Sequence, residues 1–417
     1  MRVLMLSWEY PPVVVGGLGR HVHALASSLA AGGHEVTVVT RHAEGAPYDE
    51  LRDGVRIIRA PQDPPLVPMS DLLAWTMALN HALLRAALRA NLAPPDVIHA
   101  HDWLVAHAAA GLKERYGTAL VATMHATEAG RHQGWLPGPL NRAIHTVEWW
   151  LSYEARRVLT CSAYMGWEVT RLFDLPPAKV DVVANGTDLR SFRARPAMIA
   201  AARGRWAGDG PLLVFSGRLE WEKGVHVLLA ALPRLRRRHP GLRLVIAGSG
   251  TQQAALAARA RTLRLGRSAA FAGHLATPEL AALLGAADVA VAPSLYEPFG
   301  LVALEAAAAG TPLVVSQTGG LPEFVVHQRT GLLVPSGDSG ALAAAITAIL
   351  DDEVSARRMA RAARAAAAAM TWPNVADRTA QVYAGAAREE RSLRSARSGA
   401  APLRMLVRDG NLLADEG

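Results

Sequence analysis

Short runs of apolar, often β-branched residues alternate with longer segments of helical periodicity along most of the chain. In the first half this pattern predicts strands at 2–7, 35–40, 55–59, 97–101, 120–125 and 157–161, and helices at 19–31, 71–90, 105–116, 140–153 and 163–173. In the second half it predicts strands at 212–217, 243–248, 269–272, 289–293, 312–316 and 331–334, and helices at 225–238, 252–263, 277–285, 301–309 and 341–350. Strands that alternate with helices are typical of parallel, doubly wound sheets, so the predicted fold class is α/β.

The length of 417 residues predicts two domains, because a single hydrophobic core usually stops growing below this size. We expect one Rossmann-like domain at 1–190 and a second at 191–370, with residues 180–195 as the crossover between them. Residues 355–390 are almost all helical in pattern, and Trp372-Pro373 interrupts them. In folds of this class the last helix commonly returns to the first domain, which we expect of residues 371–390. Residues 391–417 lack periodicity and predict a mobile tail.

Composition narrows the class of protein. Half of the residues are hydrophobic, yet no apolar run is long enough to span a bilayer, and the first residues predict a strand rather than a signal peptide. Cys161 is the one cysteine, which excludes an internal disulfide and a cysteine-rich zinc site. We therefore expect a cytoplasmic protein. The net charge of +8 suits an anionic small ligand or peripheral contact with an acidic membrane; nucleic acid is not expected, because no recognition motif accompanies the charge.

The segment from Ser294 to Glu305 contains two carboxylates, Glu297 and Glu305, eight positions apart. An apolar strand precedes it and an alanine-rich helix follows, so Phe299, Gly300 and Leu301 lie at a strand-to-helix junction. A helix that begins near Phe299 offers free N–H groups and a dipole to a phosphate. One carboxylate then reaches a sugar and the other a ribose. The alternative is a surface glutamate and an ordinary helical glutamate.

Two basic residues, Arg218 and Lys223, follow the strand at 212–217 in the loop before the next helix. Open α/β sheets bind ligands at the carboxyl ends of their strands, and a guanidinium with an ammonium group complements a diphosphate. The alternative is a solvated loop in which these residues pair with Glu220 or Glu222.

In the first half, His99, His101 and Asp102 close one strand and His125 closes another. Strand alternation directs His99 and His101 to the same face. A His-x-His-Asp run can bind a metal, but no further ligand has matching spacing and no DxD carboxylate motif occurs, so we expect no metal.

Two glycine clusters can be compared with the fingerprint of a dinucleotide-binding site. Gly248-Ser-Gly250 follows a strand, but Gln253 stands where the third glycine of the Rossmann fingerprint belongs, and Gly16-Gly17-Leu18-Gly19 lacks the spacing. A hydride-transfer enzyme is therefore disfavoured.

Taken together, Arg218, Lys223, Glu297 and Glu305 resemble the retaining GT-B glycosyltransferases of the glycogen-synthase-like family 4. Further motifs are similar to that family: Ser7-Trp-Glu-Tyr-Pro-Pro12, Gly16-Gly-Leu-Gly-Arg-His21, His99-Ala-His-Asp-Trp103 and His125-Ala-Thr-Glu-Ala-Gly-Arg131. The likeness spans roughly residues 1–385. Within the family the chain most resembles actinobacterial α-1,4-glucosyltransferases that elongate methylglucose lipopolysaccharide or glycogen, although no single motif is diagnostic of them.

The resemblance implies two Rossmann-like domains that face each other across a cleft, with an acceptor-binding domain at 1–190 and a donor-binding domain at 191–370. It implies transfer of glucose from UDP-glucose or ADP-glucose to a glucan or glucosyl acceptor, with no cofactor required. The implied catalytic residues are His125, Glu297, Arg218, Lys223 and Asp102. The implied donor-binding residues are Gly16, Gly17, Arg218, Lys223, Gly248, His274, Leu275, Phe299, Gly300, Leu301 and Glu305.

On the acceptor side, Asp102, Glu128 and Arg131 are candidates, and Glu128 and Arg131 have the alternative of pairing with each other. Seven of the ten tryptophans fall in the first 170 residues, and aromatic faces stack on the apolar faces of sugars. Trp103 and Trp135 adjoin the motifs and are candidate acceptor platforms, with core packing as the alternative.

Other functions stay open at this point. A membrane-associated glycosyltransferase, for example a mannosyltransferase, would act on a lipid-linked acceptor. A catalytically idle nucleotide-sugar sensor and an epimerase of related architecture are further alternatives. The donor base, the acceptor and the oligomeric state are not readable from the sequence.

Overall fold

The structure, a computed structural model, describes residues 1–61 and 67–399, with side chains to residue 396. It contains two sheets, one in each half of the chain. The strands of the first are β1 (Arg2–Leu6), β2 (Glu35–Arg41), β3 (Asp49–Arg52), β4 (Val55–Ala60), β5 (Val97–His101), β6 (Ala119–Met124), β7 (Arg157–Thr160) and β8 (Val180–Val182). The first-half helices are α1 (Gly17–Ala31), α2 (Leu72–Arg89), α3 (Ala106–Tyr116), α4 (Glu128–Arg131), α5 (Pro139–Glu154) and α6 (Ala163–Phe173).

The first sheet has the strand order β3-β4-β2-β1-β5-β6-β7-β8. All neighbouring strands are parallel except β3, which is antiparallel to β4. The chain leaves β1 toward β2 on one side and returns in β5 on the other. The crevice between the carboxyl ends of β1 and β5 is therefore a topological switch point, the place where open α/β sheets bind ligands.

The second sheet repeats this architecture. Its strands are β9 (Leu212–Ser216), β10 (Arg243–Ala247), β11 (Ala269–Gly273), β12 (Val289–Ala292), β13 (Leu313–Ser316) and β14 (Leu332–Val334). The order β11-β10-β9-β12-β13-β14 is the 3-2-1-4-5-6 order of a Rossmann sheet, so its switch point lies between β9 and β12. The remaining helices are α7 (Pro196–Trp206), α8 (Val225–Arg238), α9 (Gln253–Thr262), α10 (Thr277–Ala286), α11 (Leu301–Ala309), α12 (Leu321–Phe324), α13 (Ser339–Asp351), α14 (Glu353–Ala369) and α15 (Trp372–Gly399).

Every strand predicted from the hydrophobic pattern is present, which confirms the α/β fold class of two parallel, Rossmann-like sheets. Five elements were missed, and two of them are the four-residue helices α4 and α12, which are too short to show a helical period. β3 is short, polar and exposed at the sheet edge; β8 is a three-residue edge strand inside the segment expected to be the crossover; α7 has no buried residue and hence no apolar stripe to reveal it.

The C-terminal helix α15 packs against α1 and β6 of the first sheet. Its Tyr383 is fully buried there, and residue Thr371, just before the helix, forms a parallel bridge with Thr187. The helix continues to Gly399, beyond the end expected at residue 390, so the beginning of the expected mobile tail is helical. The rest of that tail, 400–417, lies outside the described residues. In the described part of the chain, no helix has the length and apolar character needed to cross a membrane.

Candidate active site

The switch point of the second sheet gathers the predicted basic and acidic residues. Arg218 and Lys223 follow β9, and Glu297 follows β12, its neighbour. The Lys223 Nζ donates a hydrogen bond of 2.9 Å to the Glu297 Oε2, which also accepts 3.0 Å from the Ser294 hydroxyl. Glu297 is buried rather than a surface residue, and its charge is compensated by an ammonium group. The site therefore presents a fixed pair of opposite charges at the floor of the cleft.

Arg218 takes the helix-entry ion pair that the sequence left as an alternative. Its Nη2 lies 3.2 Å from the Glu222 Oε1, and the same oxygen lies 3.7 Å from the Arg131 Nη1 of the first half. Burial and the neighbouring Arg131 lower the pKa of Arg218. Glu222 therefore joins two guanidinium groups across the cleft, a role that the sequence analysis did not give it. The two cations remain close enough together to share an anionic ligand.

Glu128 and Arg131, for which mutual pairing was one alternative, each have another direct partner. Glu128 accepts a hydrogen bond of 2.5 Å from the Asn141 Nδ2 and lies 3.3 Å from the His132 Nε2. Arg131 turns to Glu222 instead.

Helix α11 runs from Leu301 to Ala309, as the hydrophobic pattern predicted, with Gly300 as its N-cap. Gly300 has φ 104°, a left-handed conformation, and a Cβ there would collide with the Leu321 side chain. Phe299 is buried, so its ring belongs to the core and its contribution to a ligand is restricted to the backbone. The start of α11 lies four residues after Glu297, the partner of Lys223, and the free N–H groups of a helix N-terminus can bind an anion.

Glu305 lies one turn into α11 and pairs across the cleft with Arg20 of α1. It is 5 % exposed, and its Oε2 has no hydrogen-bond partner in the part of the chain that the structure describes. Burial raises the pKa of Glu305, and the charge of Arg20 opposes that rise. A buried acceptor without a donor is costly unless a ligand supplies one.

The glycine loop of the first half is held by Glu9, which the sequence analysis missed. The Glu9 carboxylate is buried and accepts hydrogen bonds from the Val15 and Gly16 N–H groups, at 2.5 and 3.1 Å. Burial raises the pKa of this carboxyl. A Cβ on Gly17 would lie 3.0 Å from the Leu301 side chain, so the loop approaches the start of α11 and its anion site closely. Gly16 and Gly17 are thus brought to the predicted phosphate position.

Asp102 and His125 stand at the switch point of the first sheet. Asp102 follows β5 in a left-handed conformation with φ 61°, and its Oδ1 accepts 2.7 Å from the His125 N–H. Burial raises the pKa of Asp102 to about 6, with the hydrogen bond and the charge of Arg131 opposing the shift. Burial lowers the pKa of His125 to about 3, so its ring is neutral at ordinary pH. A neutral imidazole exchanges hydrogen bonds with a hydroxyl without adding charge.

Three further histidines pack around His125. His101 Nδ1 lies 3.1 Å from its Nε2, and the ring centroid of His21 lies 4.7 Å from that of His125. The ring centroids of His99 and His101 lie 4.0 Å apart, as strand alternation predicted, and one hydrogen bond of 2.6 Å joins the Nδ1 of His99 to the hydroxyl of Tyr383 in α15. Burial lowers the pKa of His21 to about 3 and those of His99 and His101 well below their usual value. The cluster is therefore polar but uncharged.

The argument from spacing against a metal was incomplete. One ligand atom from each of His21, His101 and His125 lies within 4.8 Å of the others, so tertiary packing adds a third histidine, from α1, to the two in the strands. Three imidazoles can hold a transition metal. The Nδ1 of His21, however, already forms a hydrogen bond of 2.8 Å with the Asn185 Oδ1, and His101 and His125 form a hydrogen bond with each other. Each of the three rings therefore has a hydrogen-bond partner within the protein.

The remaining candidates lie at the expected strand ends. Gly248 follows β10, and His274 and Leu275 follow β11, so all three border the same carboxyl edge as Arg218. His274 is exposed and Leu275 is partly buried. Trp103 opens a short 3-10 turn directly after Asp102 and is partly buried, whereas Trp135 is 69 % exposed in the loop after α4.

Comparison with known proteins agrees with this geometry. Residues 15–191 match the model of Glycosyltransferase Family 4, and residues 200–366 match that of Glycosyl transferases group 1. The chain is 52 % identical over 406 residues to a glycogen synthase of Mycobacterium tuberculosis (94 % of this chain, 96 % of the relative). It is 35 % identical to a D-inositol 3-phosphate glycosyltransferase of Kineococcus radiotolerans (96 % and 98 %).

Among solved structures, a sucrose-phosphate synthase from Thermosynechococcus elongatus superposes with a TM-score of 0.79 at 28 % identity, covering 94 % of this chain and 99 % of the other. The family models that match each half of the chain and the relatives that match nearly all of it thus indicate the same family. The chain belongs to the family 4 glycosyltransferases and is a glycosyltransferase of the GT-B fold.

Proposed function

We propose that this enzyme transfers glucose from a nucleoside diphosphate glucose to the 4-hydroxyl of a glucan acceptor, with retention of the α configuration. One observation carries the proposal: Arg218, Lys223, Glu297 and the start of α11 converge at the switch point of the second sheet. The identity of 52 % to a glycogen synthase supports glucose as the transferred sugar and a glucan as the acceptor. Retention rests on the family resemblance.

In this proposal residues 191–370 form the donor-binding domain. The diphosphate lies between Arg218, Lys223 and the N–H groups at the start of α11. Glu305 accepts a hydrogen bond from a ribose hydroxyl, which its unpartnered Oε2 supports. Glu297 receives the hydroxyls of the glucose, and the base lies near Gly248, His274 and Leu275. The surroundings of the base do not distinguish UDP-glucose from ADP-glucose.

Residues 1–190 form the acceptor-binding domain. In the transfer step the bond between the anomeric carbon and the diphosphate oxygen breaks, a bond to the acceptor O4 forms on the same face, and the acceptor proton passes to the departing diphosphate. Negative charge grows on that diphosphate, where Arg218 and Lys223 are already oriented. The neutral ring of His125 contacts the transferred sugar, and Asp102 lies on the acceptor side.

The proposed reaction uses no cofactor and no divalent cation. Other glycosyltransferases use a metal to neutralise the diphosphate, and here Arg218, Lys223 and the helix terminus provide positive charge in its place. Transfer in the presence of a chelator at the same rate as with Mg²⁺ is the expected result. A rate that needs Mg²⁺ would contradict it.

A donor-by-acceptor assay tests the whole proposal. UDP-glucose and ADP-glucose are each offered with maltooligosaccharides and with methylated glucans, and NMR of the product identifies the new linkage. An α-1,4 product from one of the donors is expected. Hydrolysis alone, or a linkage of the β configuration, would overturn it.

A second candidate comes from the D-inositol 3-phosphate glycosyltransferase of Kineococcus radiotolerans, which is 35 % identical over 96 % of this chain. The name of that relative indicates a small phosphorylated acceptor, so inositol phosphate belongs in the acceptor panel. A lipid-linked acceptor at a membrane surface is tested in the same panel by adding anionic vesicles, which would have to raise the rate.

A further inference from the structure

A cavity of about 550 Å³ opens beside the reacting groups, on the side of α8 and α13. Its polar lining comes from Gln133, Trp221, His226, Arg259, Ser336 and Ser339. Its volume falls within the range of roughly 300–1,000 Å³ that is typical of small-molecule sites. Nothing in the transfer step described above uses it.

The cavity adjoins the reacting groups through two short chain segments. Trp221 is the first residue of the 3-10 turn Trp221–Lys223, so its ring and the catalytic ammonium belong to one turn. Leu295 also lines the cavity and is two residues before Glu297; its N–H donates 2.7 Å to the Glu222 carbonyl. A molecule in the cavity is therefore held by the same two loops that carry Lys223 and Glu297.

Trp221 provides a flat apolar wall. Its side chain is 49 % exposed, and its ring stacks on His226 with centroids 6.0 Å apart and planes 17° from parallel. Burial and the charge of Arg259 lower the pKa of His226, so the stacked pair is uncharged. A large aromatic face that is already ordered loses little conformational entropy when a ring packs on it.

The rest of the lining suits a neutral ligand with many hydroxyl groups. Ser336 and Ser339 offer hydroxyls, and Arg259 offers donors without an acid in the described lining. Gln133 brings an amide from the first half of the chain, from the loop that also carries the exposed Trp135. A ligand that touches Gln133 and Trp221 together spans both domains.

We propose that this cavity binds the α-glucan acceptor beyond the sugar that receives the transferred glucose, with one of its rings stacked on Trp221. The inference rests on the proposed function, because it names the substrate of that same site. It also moves the sugar-stacking role, which the sequence suggested for Trp103 and Trp135, to a tryptophan of the second half.

The test compares acceptor chain length. The ratio of kcat/KM for maltoheptaose to kcat/KM for maltose is measured for the wild type, Trp221→Ala and Trp221→Tyr. Trp221→Ala is expected to lower the ratio about tenfold, the effect of losing one stacked ring, whereas Trp221→Tyr keeps an aromatic face and retains most of it. An unchanged ratio in Trp221→Ala would overturn the proposal.

Trp149→Ala is the matched control. Trp149 is similarly exposed, at 44 %, and stacks on Tyr153 in α5 at 5.7 Å, far along the chain from the cavity. It is expected to leave the ratio unchanged; an equal loss in both variants would show that the effect is not specific to the cavity and would contradict the proposal.

Calorimetric titration with maltoheptaose separates this inference from the proposed function. If the wild type binds maltoheptaose but transfers no glucose to it, and Trp221→Ala does not bind it, the glucan-binding role of the cavity is supported and the proposed function is contradicted. If the wild type elongates maltoheptaose and Trp221→Ala binds it equally well, the proposed function is supported and the glucan-binding role of the cavity is contradicted. If the wild type does not bind maltoheptaose at all, the glucan-binding role of the cavity is also contradicted.

Discussion

The two faces of the cleft are built on the same sheet topology but use opposite electrostatics. At the switch point of the second sheet stand full charges in pairs, Lys223 with Glu297 and Arg218 with Glu222. At the switch point of the first stand neutral histidines, packed so closely that burial holds them uncharged. Charge matches a diphosphate, whose own charge changes during transfer. Neutral hydrogen-bonding groups match a sugar, because the hydroxyl groups of a sugar are uncharged.

Polar contacts join the two faces of the cleft, and each of them uses a carboxylate. Arg20 of the first half pairs with Glu305, and Arg131 pairs with Glu222. In a third contact, the Tyr296 hydroxyl donates a hydrogen bond of 2.8 Å to the Glu168 Oε1. The cleft is thus closed over the site by polar contacts that a ligand can exchange for its own, which is what a domain closure that excludes water requires.

The charged face should be the more sensitive to substitution. In the proposed transfer step, Lys223→Ala removes an ammonium group from the position where negative charge develops, and it leaves Glu297 buried without its partner. We expect kcat to fall about 10²–10³-fold, measured at saturating donor.

Lys113→Ala is the control, because the Lys113 Nζ makes a comparable bond of 2.7 Å to the Glu154 Oε2 outside the cleft. It should cost stability and leave kcat near the wild-type value. A Lys223→Ala enzyme within tenfold of the wild type would show that the diphosphate is stabilised elsewhere.

Glu305→Ala should act on the donor rather than on the chemical step. The loss of a charged acceptor for a ribose hydroxyl is worth about 1.5–3 kcal/mol, so the donor KM should rise roughly 10–100-fold with a smaller change in kcat. Glu390→Ala, which removes another buried glutamate paired with an arginine, Arg156, should leave the donor KM unchanged. An unaltered donor KM in Glu305→Ala would remove the ribose role.

The neutral face makes a prediction about pH. Because the pKa of Asp102 is raised to about 6 and that of His125 is lowered to about 3, kcat/KM should fall as the pH drops through about 6, as the Asp102 carboxylate takes up a proton. Asp102→Asn should lower kcat/KM at pH 7.5 by about tenfold and abolish this acid limb. If the limb persists in Asp102→Asn and disappears in His125→Asn, the titrating group is the histidine.

The smallest effect concerns how the histidines are held. Tyr383→Phe removes the hydroxyl that is 2.6 Å from His99, which leaves a buried ring nitrogen without that partner. We expect a loss of about 1–3 kcal/mol of stability, seen as a Tm lowered by a few degrees. Tyr153→Phe, at an exposed position, should not change the Tm. Equal Tm values for the two variants would mean that α15 does not anchor the cluster through this bond.

The sequence predicted the charged face well, because its parts are local. Arg218 and Lys223 lie in one loop, and Glu297 and Glu305 lie in one segment. The loop and the segment each follow an apolar strand that the hydrophobic pattern predicts. Since parallel strands end at one edge of a sheet, strand prediction alone placed these residues near each other. The start of α11 at Leu301 also agrees with the helix predicted over 301–309, and the left-handed Gly300 caps it.

The neutral face was only partly readable. His99, His101 and His125 were predicted at strand ends. His21 and Glu9 were noted only as members of motifs, without a role of their own, and Tyr383 was not considered. His21 meets Asn185 across 164 residues and His99 meets Tyr383 across 284. No spacing within a motif encodes such contacts.

What the sequence determined by itself was the alternation of strands and helices, the doubled α/β architecture, and the charged residues at strand ends. These follow from periodicity and from chain order, which are local properties. The tertiary structure alone decided which charges pair across the cleft, that the histidines are buried and neutral, and that Trp221 lines a cavity. Burial and desolvation depend on every element that packs around a group, and those elements come from distant parts of the chain.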